Sequence, residues 1–563
     1  MNNRYRYLRN AALLFVASSA IGLGCTKLDQ SLKDTLTPTQ AANAFNASLF
    51  LQTAYNDVGS RWGQIANDVS PLEDCTGDEQ AVPTRKTDWG DNGAWIGFHE
   101  HTWPIDDGEQ LHINTWNDLN KINFDATNVL TFNPSDEQIA EARFIRALSL
   151  YQLLDLFGQF PFRQPGENLL NAPKVYRGDS AVQFIISELT DILPKLSASN
   201  KITQANPDAV RMLLMKTYLN RGAFLNRAAP TFDDADMQQV ITLGNAIINS
   251  GKYHYNMKAD SLGVLHPDFF GNFDWKNSGS PEAIYACPNT AGVTTNNTSI
   301  QNKWWPTLHY NMYTPLNPQA GWNGFATTAE FYNSFAVNDV AITQTAADTL
   351  LKDTRIGGRF YAGCTDKSGV RPGFLIGQQY NELGQKEYDR KGNLLTFLPQ
   401  MAPNLLENDP TTLEITGIRV IKYPPDYTLG IPSYNTAGNW LMLYRYPDVV
   451  LMVAEAKMRA ASPDDAGALA MVNDLRTARG ANKLTTMPLV NTADVYDPTT
   501  LLAERGRELY WEAVRRTDLI RFGMFMKAWA YKAADSDPKY LVFPIASAAL
   551  AANPNLIQNP GYQ

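Results

Sequence analysis

The chain has 563 residues, of which 44% are hydrophobic and 19% are charged. This composition is typical of a folded protein, and the length exceeds what one compact core usually supports, which indicates two domains or one extended array. Acidic residues outnumber basic residues by 57 to 48. The sequence therefore lacks the broad positive charge that attracts nucleic acid, and we expect no nucleic-acid partner.

The first 24 residues have the features of an export signal. Three arginines precede an apolar run over residues 11–23, which is shorter than a membrane-spanning helix, and small residues stand just before Cys25. This pattern predicts cleavage and acylation of Cys25, so that acyl chains tether the protein to a membrane. Gly22 occupies the position where the usual lipoprotein signal has leucine, so simple secretion is the alternative.

The sequence contains no recognisable catalytic or metal-binding motif. Apart from Cys25, three widely spaced cysteines form neither a disulfide framework nor a close-spaced metal motif, and the six histidines include no HExxH pattern. Nucleophile elbows, phosphate-binding loops and dinucleotide fingerprints are also missing from the sequence. We expect no cofactor, no metal and no catalysis. A surface hydrolase with an unrecognised carboxylate pair is an alternative, because such a pair is defined by geometry.

Helix starts are marked by a capping residue followed by proline, and the first of them opens a helix that runs toward Trp62. The four such pairs are Thr37-Pro38, Asn206-Pro207, Ser462-Pro463 and Asp497-Pro498. Apolar residues at three- and four-residue steps predict a helix over residues 140–157. Further helices are predicted at about 180–197, 207–226, 235–250, 444–461, 464–480 and 498–516.

Two pairs of these helices have about the length of a tetratricopeptide unit, roughly 34 residues. They are the pair 207–226 with 235–250 and the pair 444–461 with 464–480. The predicted fold class is mostly α, with tetratricopeptide-like helical hairpins forming a frame, and with long irregular loops and a few short strands carrying the ligand site. An irregular helical domain without repeat geometry is the alternative.

Two stretches are predicted to be irregular. Residues 257–439 are rich in Gly, Asn, Pro, Thr and aromatic residues, and residues 70–104 form a shorter zone of the same kind. Long loops on a rigid frame commonly carry binding residues. The expected organisation is a signal peptide over 1–24, a tether over 25–36 and a body over 37–563. Within the body, the frame covers about 37–256 and 440–563, and the loop-rich insertion covers about 257–439.

Several segments together resemble the SusD/RagB family of surface nutrient-binding lipoproteins. The segments are EARFIRAL at 141–148, LFGQFPF at 156–162, YRYPDVVLMVAEA at 444–456, ERGRE at 504–508 and RTDLIRFG at 516–523. The resemblance implies a non-catalytic protein tethered by lipid to the extracellular face of the cell outer membrane. It also implies that the protein hands an oligosaccharide to a TonB-dependent SusC-like barrel. Because the RagB branch is associated with peptides, a peptide-binding uptake subunit is the alternative.

Capture of a sugar requires flat aromatic faces beside hydrogen-bonding groups, since a pyranose ring presents C–H faces and a rim of hydroxyls. The first irregular zone offers Asp78, Arg85, Trp89 and Trp95, and the second offers Trp304, Trp305 and Trp322. If the chain is extended at Trp304 and Trp305, one ring faces the core and the other faces solvent. Each of these tryptophans has a structural alternative, in which it fixes its loop to the helical frame.

Charged residues between 504 and 516 recur at three- and four-residue spacings. This pattern is typical of a solvated helix face with a ladder of ion pairs. Asp353 and Arg355 lie in the irregular zone, where the sequence does not decide between a ligand contact and a structural role.

Overall fold

Among the described residues, all but one of the α-helices form in the two regions where the sequence predicts a frame, and the exception, Ala329–Asn333, lies in the loop-rich insertion. In the computed structural model they are α1 Ala47–Trp62, α2 Ala94–Glu100, α3 Leu111–Val129, α4 Asp136–Phe157, α5 Gly178–Ile192, α6 Pro207–Leu225, α7 Asp234–Ile248, α8 Ala329–Asn333, α9 Tyr446–Arg459, α10 Asp465–Ala478, α11 Leu501–Leu509, α12 Arg515–Arg521 and α13 Ser547–Ala552. A short π-helix spans Pro71–Cys75.

The structure describes residues 46–105, 110–292, 298–312, 321–335, 353–357, 372–381, 384–426 and 437–562. Cys25 and the predicted helix start at Thr37-Pro38 lie outside these ranges. Within them, no helix is both long enough and apolar enough to cross a membrane.

Local capping explains where the frame helices begin. The Ser135 hydroxyl accepts from the backbone N–H of Gln138, whose side chain accepts from the Ser135 N–H, so α4 opens with a capping box. Asn206 caps α6 ahead of Pro207, as predicted. The starts predicted at Ser462-Pro463 and Asp497-Pro498 are wrong. Asp464 and Thr500 cap these helices instead, because their side-chain oxygens reach backbone N–H groups three residues on.

The frame is a continuous stack in which α1, α3, α4, α5, α6, α7, α9 and α10 each pack on the next. The stack passes from α7 to α9 although about 200 residues separate them in the sequence. Gly244 permits this contact, since a Cβ at that position would lie 2.2 Å from a methyl carbon of Val453. The predicted mostly helical fold class is confirmed, and the pairs α6–α7 and α9–α10 match the two predicted hairpins.

Strands in the described residues are short and pair two by two. They are β1 Thr84–Arg85, β2 Gln159–Phe162, β3 Lys174–Arg177, β4 Met257–Ala259, β5 Leu265–Pro267, β6 Ala283–Cys287, β7 Gly373–Leu375, β8 Gly377–Gln378, β9 Thr396–Phe397, β10 Leu406–Glu407, β11 Arg419–Ile421 and β12 Leu441–Arg445. The pairs β2–β3, β4–β5, β6–β12, β7–β11 and β8–β9 are antiparallel, and β1–β10 is parallel. Pairing of β6 with β12 joins the start of the loop-rich region to α9.

The charged residues of α11 are buried, so the prediction of a solvated charged face is wrong. Glu508 accepts from Arg445 at 3.0 Å and from Arg479 at 2.8 Å, and Glu282 accepts from the same two arginines at 2.9 Å. All four side chains are fully buried. The charged residues of α11 therefore pair mainly with partners from distant parts of the chain, and the pair Glu504–Arg507 lies within the helix itself.

A second cluster in the same interior surrounds Glu504. It accepts from Arg355 at 2.8 Å, from Arg476 at 2.6 Å and from Arg507 at 2.6 Å. Arg355 is also bound by Asp353. These contacts give Asp353 and Arg355 a structural position, because the arginine side chain has no exposure to solvent.

Candidate ligand-binding surface

The first irregular zone is fixed to the second by backbone hydrogen bonds. Ala81 and Ala326 exchange two bonds of 2.9 Å, and β1 pairs with β10. Beyond β1 the chain turns sharply, since Arg85 and Asp88 bond to each other through their backbones. The turn projects residues 86–88 into solvent at the junction of the two zones.

Arg85 stabilises this junction from its interior side and is not available to a ligand. Its guanidinium donates to the carbonyls of Asn323, Leu413 and Thr416 and to the Thr416 hydroxyl, at 2.6–2.9 Å. Burial lowers the pKa of Arg85 to about 10, so the group stays charged at neutral pH. The expectation that Arg85 binds ligand at the rim is wrong, because its buried guanidinium donates these four hydrogen bonds to other residues of the protein.

Asp78 is also an interior residue. Its two carboxylate oxygens accept from Arg515 at 2.6 and 2.7 Å in a bidentate pair, and its side chain has no exposed surface. A carboxylate committed to a buried arginine cannot turn to a sugar hydroxyl without leaving that arginine unpaired. Asp78 therefore connects the first irregular zone to α12 rather than facing a ligand.

Trp89 lies half-buried where the two zones meet. Its indole N–H donates to the carbonyl of Trp322 at 2.8 Å, and its ring makes edge contacts with Trp95 and Phe325. The ring lies against the backbone of Gly324, where a Cβ would come within 2.3 Å of it. Trp322 is half-buried as well, and its ring lies 6.3 Å from that of Trp305.

Three of the other predicted tryptophans lie inside the protein. Trp95 is 4% exposed, Trp304 is 3% exposed and Trp305 is 1% exposed. Trp95 donates to the Asp91 carboxylate and packs edge-on against Phe325. The expectation that one ring of the Trp304–Trp305 pair faces solvent is wrong, because these residues lie in a turn rather than an extended strand and both rings enter the core.

Polar side chains complete the exposed surface around Trp89 and Trp322. The Tyr310 hydroxyl donates to the exposed Asp88 carboxylate at 2.5 Å. The Arg390 guanidinium lies over the Tyr310 ring, 3.9 Å from its centre, and binds Glu414 through two bonds of 2.9 and 2.7 Å. Asp88 and Trp89 are consecutive residues of the first irregular zone. Asp88 bonds to Tyr310 and Trp89 bonds to Trp322, both of which belong to the second zone.

The charges at this surface are set by burial and by ion pairing. Burial and the neighbouring Arg419 lower the pKa of His309 to about 4, so the imidazole that contacts Glu414 is neutral at pH 7. Burial and the Asp88 carboxylate raise the pKa of Tyr310, which keeps its hydroxyl protonated as a donor. Burial opposes ionisation of Glu414, but the bond to Arg390 outweighs it and lowers the pKa of this carboxyl.

We call the group formed by Asp88, Trp89, Tyr310, Trp322 and Arg390 the aromatic loop surface. It presents two half-buried indoles, a phenol and a pair of opposite charges within one junction. Trp89 and Trp322 are two of the tryptophans that the sequence proposes as ligand contacts, and that role stays a prediction. No signal in the sequence indicated the contact between Arg390 and Tyr310, since the folding of a distant segment brings the two residues together. In the described residues, no group of three or more metal-ligating side chains stands close enough to hold a metal ion.

Comparison with known proteins agrees with this arrangement of frame and loops. The family model described as the SusD family matches residues 282–562. The chain belongs to the SusD family. The match includes β6, most of the loop-rich region and the described helices from α8 onward. It therefore covers residues 282–439 of the second irregular zone and the buried arginine–carboxylate clusters.

Relatives and solved structures resemble this SusD family member along nearly its whole length. The starch-binding protein SusD of Bacteroides thetaiotaomicron is 23% identical, and the alignment covers all of both chains. A surface glycan-binding protein A from the same organism, solved in complex with laminarihexaose, is 16% identical with a TM-score of 0.60, covering 91% of this chain and 98% of that one. A SusD superfamily protein from Parabacteroides distasonis is 18% identical with a TM-score of 0.62, covering 94% and 100%.

Proposed function

We propose that this protein binds a glycan at the aromatic loop surface and delivers it to a TonB-dependent SusC-like barrel. The observation that carries the proposal is the junction itself, where Asp88 bonds to Tyr310 and Trp89 bonds to Trp322. Similarity to a starch-binding protein and to a protein solved with laminarihexaose supports the ligand class. The protein acts without catalysis in this proposal, as the names of these relatives suggest.

The chemistry of the surface suits an oligosaccharide. A half-buried indole offers an apolar face to the C–H groups of a pyranose, and burial of that face stabilises the complex. Asp88 accepts hydrogen bonds from sugar hydroxyls, and Arg390 donates to them. A contact with another residue of the protein already holds each of these side chains in place, so little side-chain entropy is lost when a sugar binds.

The anchoring part of the proposal rests on the sequence. Acylation of Cys25 places the protein on the extracellular face of the cell outer membrane, where a glycan is captured before transport. Incorporation of a labelled fatty acid into the intact protein, and its loss in Cys25→Ser, tests this step. Secretion of an unlabelled wild-type protein into the medium contradicts it.

Binding of saccharides and peptides by the full chain tests the ligand class. We expect Trp322→Ala to weaken binding of the preferred oligosaccharide by about 1–3 kcal/mol, or roughly 5- to 150-fold, because an aromatic hot spot is lost. Isothermal titration with laminarihexaose, maltohexaose and a mixed peptide library measures the effect. The control is Trp275→Ala, which removes a half-buried indole of the insertion that does not belong to the surface.

Two results would contradict the proposal. Binding of peptides alone would assign the protein to peptide uptake, and equal affinities of wild type and Trp322→Ala would place the site elsewhere. Release of shorter saccharides on prolonged incubation would indicate a hydrolase instead.

A further inference from the structure

The helical frame carries a concave feature whose lining residues are separate from those of the aromatic loop surface. It is a cleft of about 600 Å³ between α1, the start of α4, residues 201–204 and the segment from β6 to residue 290. We call it the frame cleft. Its volume lies within the range of small-molecule sites. None of the described residues that line it comes from residues 84–95, 304–312 or 321–325.

The wall of the frame cleft is rich in uncharged hydrogen-bonding groups. Five of them matter here, Gln52, Tyr55, Gln138, Gln204 and Tyr285, and the carboxyl of Glu141 lies among them. The side-chain amide of Gln138 donates to Ser48 at 2.8 Å, and that of Gln52 donates to Asn56 at 2.9 Å. These bonds hold the carboxamides at the mouth of the cleft in fixed positions.

Tyr55 is positioned from two sides. Its hydroxyl donates to the Glu141 carboxylate and accepts from the backbone N–H of Ala205 at 2.8 Å. This pair fixes one wall of the cleft, because Glu141 belongs to α4 and Ala205 closes the connection between α5 and α6. Burial raises the pKa of Tyr55, so the hydroxyl remains protonated.

Tyr285 adds an observation that points to a ligand. It lines the cleft and is 1% exposed, and its hydroxyl has no hydrogen-bond partner among the residues that the structure describes. Buried hydroxyls are nearly always paired, because an unpaired one has lost its bonds to water without replacement. A hydroxylated ligand in the cleft would supply the missing bond.

We infer that the frame cleft is a second saccharide-binding site. Carboxamides and hydroxyls match the donors and acceptors of a neutral sugar. A phosphorylated ligand would need a cluster of cations, and Lys201 is the one cationic side chain among the described residues of the lining. The inference takes its ligand class from the proposed function. It shares no residue with the aromatic loop surface, so either site can fail without the other.

Filling the cleft tests the inference. Thr203, which lines it, is replaced in Thr203→Trp, and Ala198→Trp places the same bulk at an exposed position of the same connection. We expect titration of the full chain with laminarihexaose and maltohexaose to give two sites for wild type and for Ala198→Trp. Thr203→Trp should retain only one. Tyr285→Phe should weaken the second site several-fold while leaving thermal stability unchanged or higher, since the hydroxyl it removes is unpaired.

Amide hydrogen exchange with and without the same saccharides separates the two sites. Added protection at residues 48–56 and 201–205 supports the inference, and it should vanish in Thr203→Trp. Protection confined to residues 84–95 and 305–325 overturns the inference and leaves the proposed function intact. Protection confined to the cleft supports the inference and contradicts the aromatic loop surface. Unchanged exchange at residues 48–56 and 201–205 overturns the inference, regardless of the exchange measured at residues 84–95 and 305–325.

Discussion

At the scale of single residues, Trp89 shows how a half-buried ring is held in place. Its backbone φ is +58°, a conformation that residues other than glycine seldom adopt. The indole N–H bond to Trp322 and the flat contact with Gly324 hold it there. The ring is therefore fixed by its neighbours before any ligand arrives, which favours binding because less motion remains to be lost.

We expect Gly324→Ala to disturb this arrangement. A Cβ at residue 324 would come within 2.3 Å of the Trp89 ring, so the ring must move and its bond to Trp322 must lengthen or break. Saccharide affinity should fall by about 1–2 kcal/mol, comparable with the loss of part of a hot spot. Titration of the variant measures the effect. The matched control is Gly279→Ala, where a Cβ has no neighbour within 4 Å. An affinity equal to that of the control would contradict the positioning role of the Trp89 contact.

At the scale of elements, buried arginine–carboxylate clusters link the late helices to the loop-rich region. Glu508 of α11 binds Arg445 at the end of β12 and Arg479 after α10, and Glu282 before β6 binds both arginines. Burial opposes ionisation of Glu508, but the two guanidiniums outweigh it and lower its pKa to about 2. Four elements therefore meet at one set of charges, which fixes their relative positions.

We expect Glu508→Gln to destabilise the protein by about 3–5 kcal/mol, because two buried guanidiniums lose one of the two carboxylates that they share and keep only Glu282 in common. Urea denaturation followed by tryptophan fluorescence measures the free energy of unfolding. The control is Glu167→Gln, which changes an exposed carboxylate to the same amide. A loss within 0.5 kcal/mol of the control, the usual range for surface substitutions, would show that the cluster contributes little.

The same elements show what sequence can and cannot predict. Helix pairs such as α6–α7 follow from local caps and apolar spacing, so residues 207–248 were predicted closely. The charge ladder of α11 was misread because burial depends on Arg355, Arg445 and Arg479, which lie far away in sequence. For the same reason, local pattern did not distinguish buried Trp95 from half-buried Trp89. Trp89 lies in a loop and Trp95 in the short helix α2, and both pack against Phe325 of the second irregular zone.

At the scale of the whole molecule, buried carboxyls of two kinds give stability a maximum in mildly acidic solution. Burial raises the pKa of Asp74 to about 7, although the nearby Lys303 lowers it in part, and burial together with a bond to Asp118 raises the pKa of Asp68 to about 7. Such groups bind protons more tightly in the folded state. They therefore stabilise the fold below the unfolded pKa and lose that contribution as the pH rises through about 7.

The ion-paired carboxyls act in the opposite sense. Asp448, Glu455 and Glu508 have pKa values of about 2 because arginine or lysine partners outweigh the effect of burial. Their contribution is present above the unfolded pKa, near 4, and is lost as the pH falls toward 2. Stability should therefore rise from pH 8 to pH 6 and fall steeply below about pH 4.

Denaturation at a series of pH values measures this profile. Asp74→Asn should reduce the rise between pH 8 and pH 6, whereas Asp465→Asn, at an exposed position, should leave it unchanged. A free energy of unfolding that increases steadily from pH 6 to pH 8 would contradict the assignment of raised pKa values to the buried carboxyls.

The central claim is that a glycan binds where the two irregular zones meet. A crystal structure of the full chain with the saccharide that binds best in the titration tests it most directly. We predict a sugar ring in contact with the indole of Trp89 or Trp322, with its hydroxyls bonded to Asp88 or Arg390. A saccharide bound elsewhere on the protein, with the aromatic loop surface unoccupied, would contradict the claim.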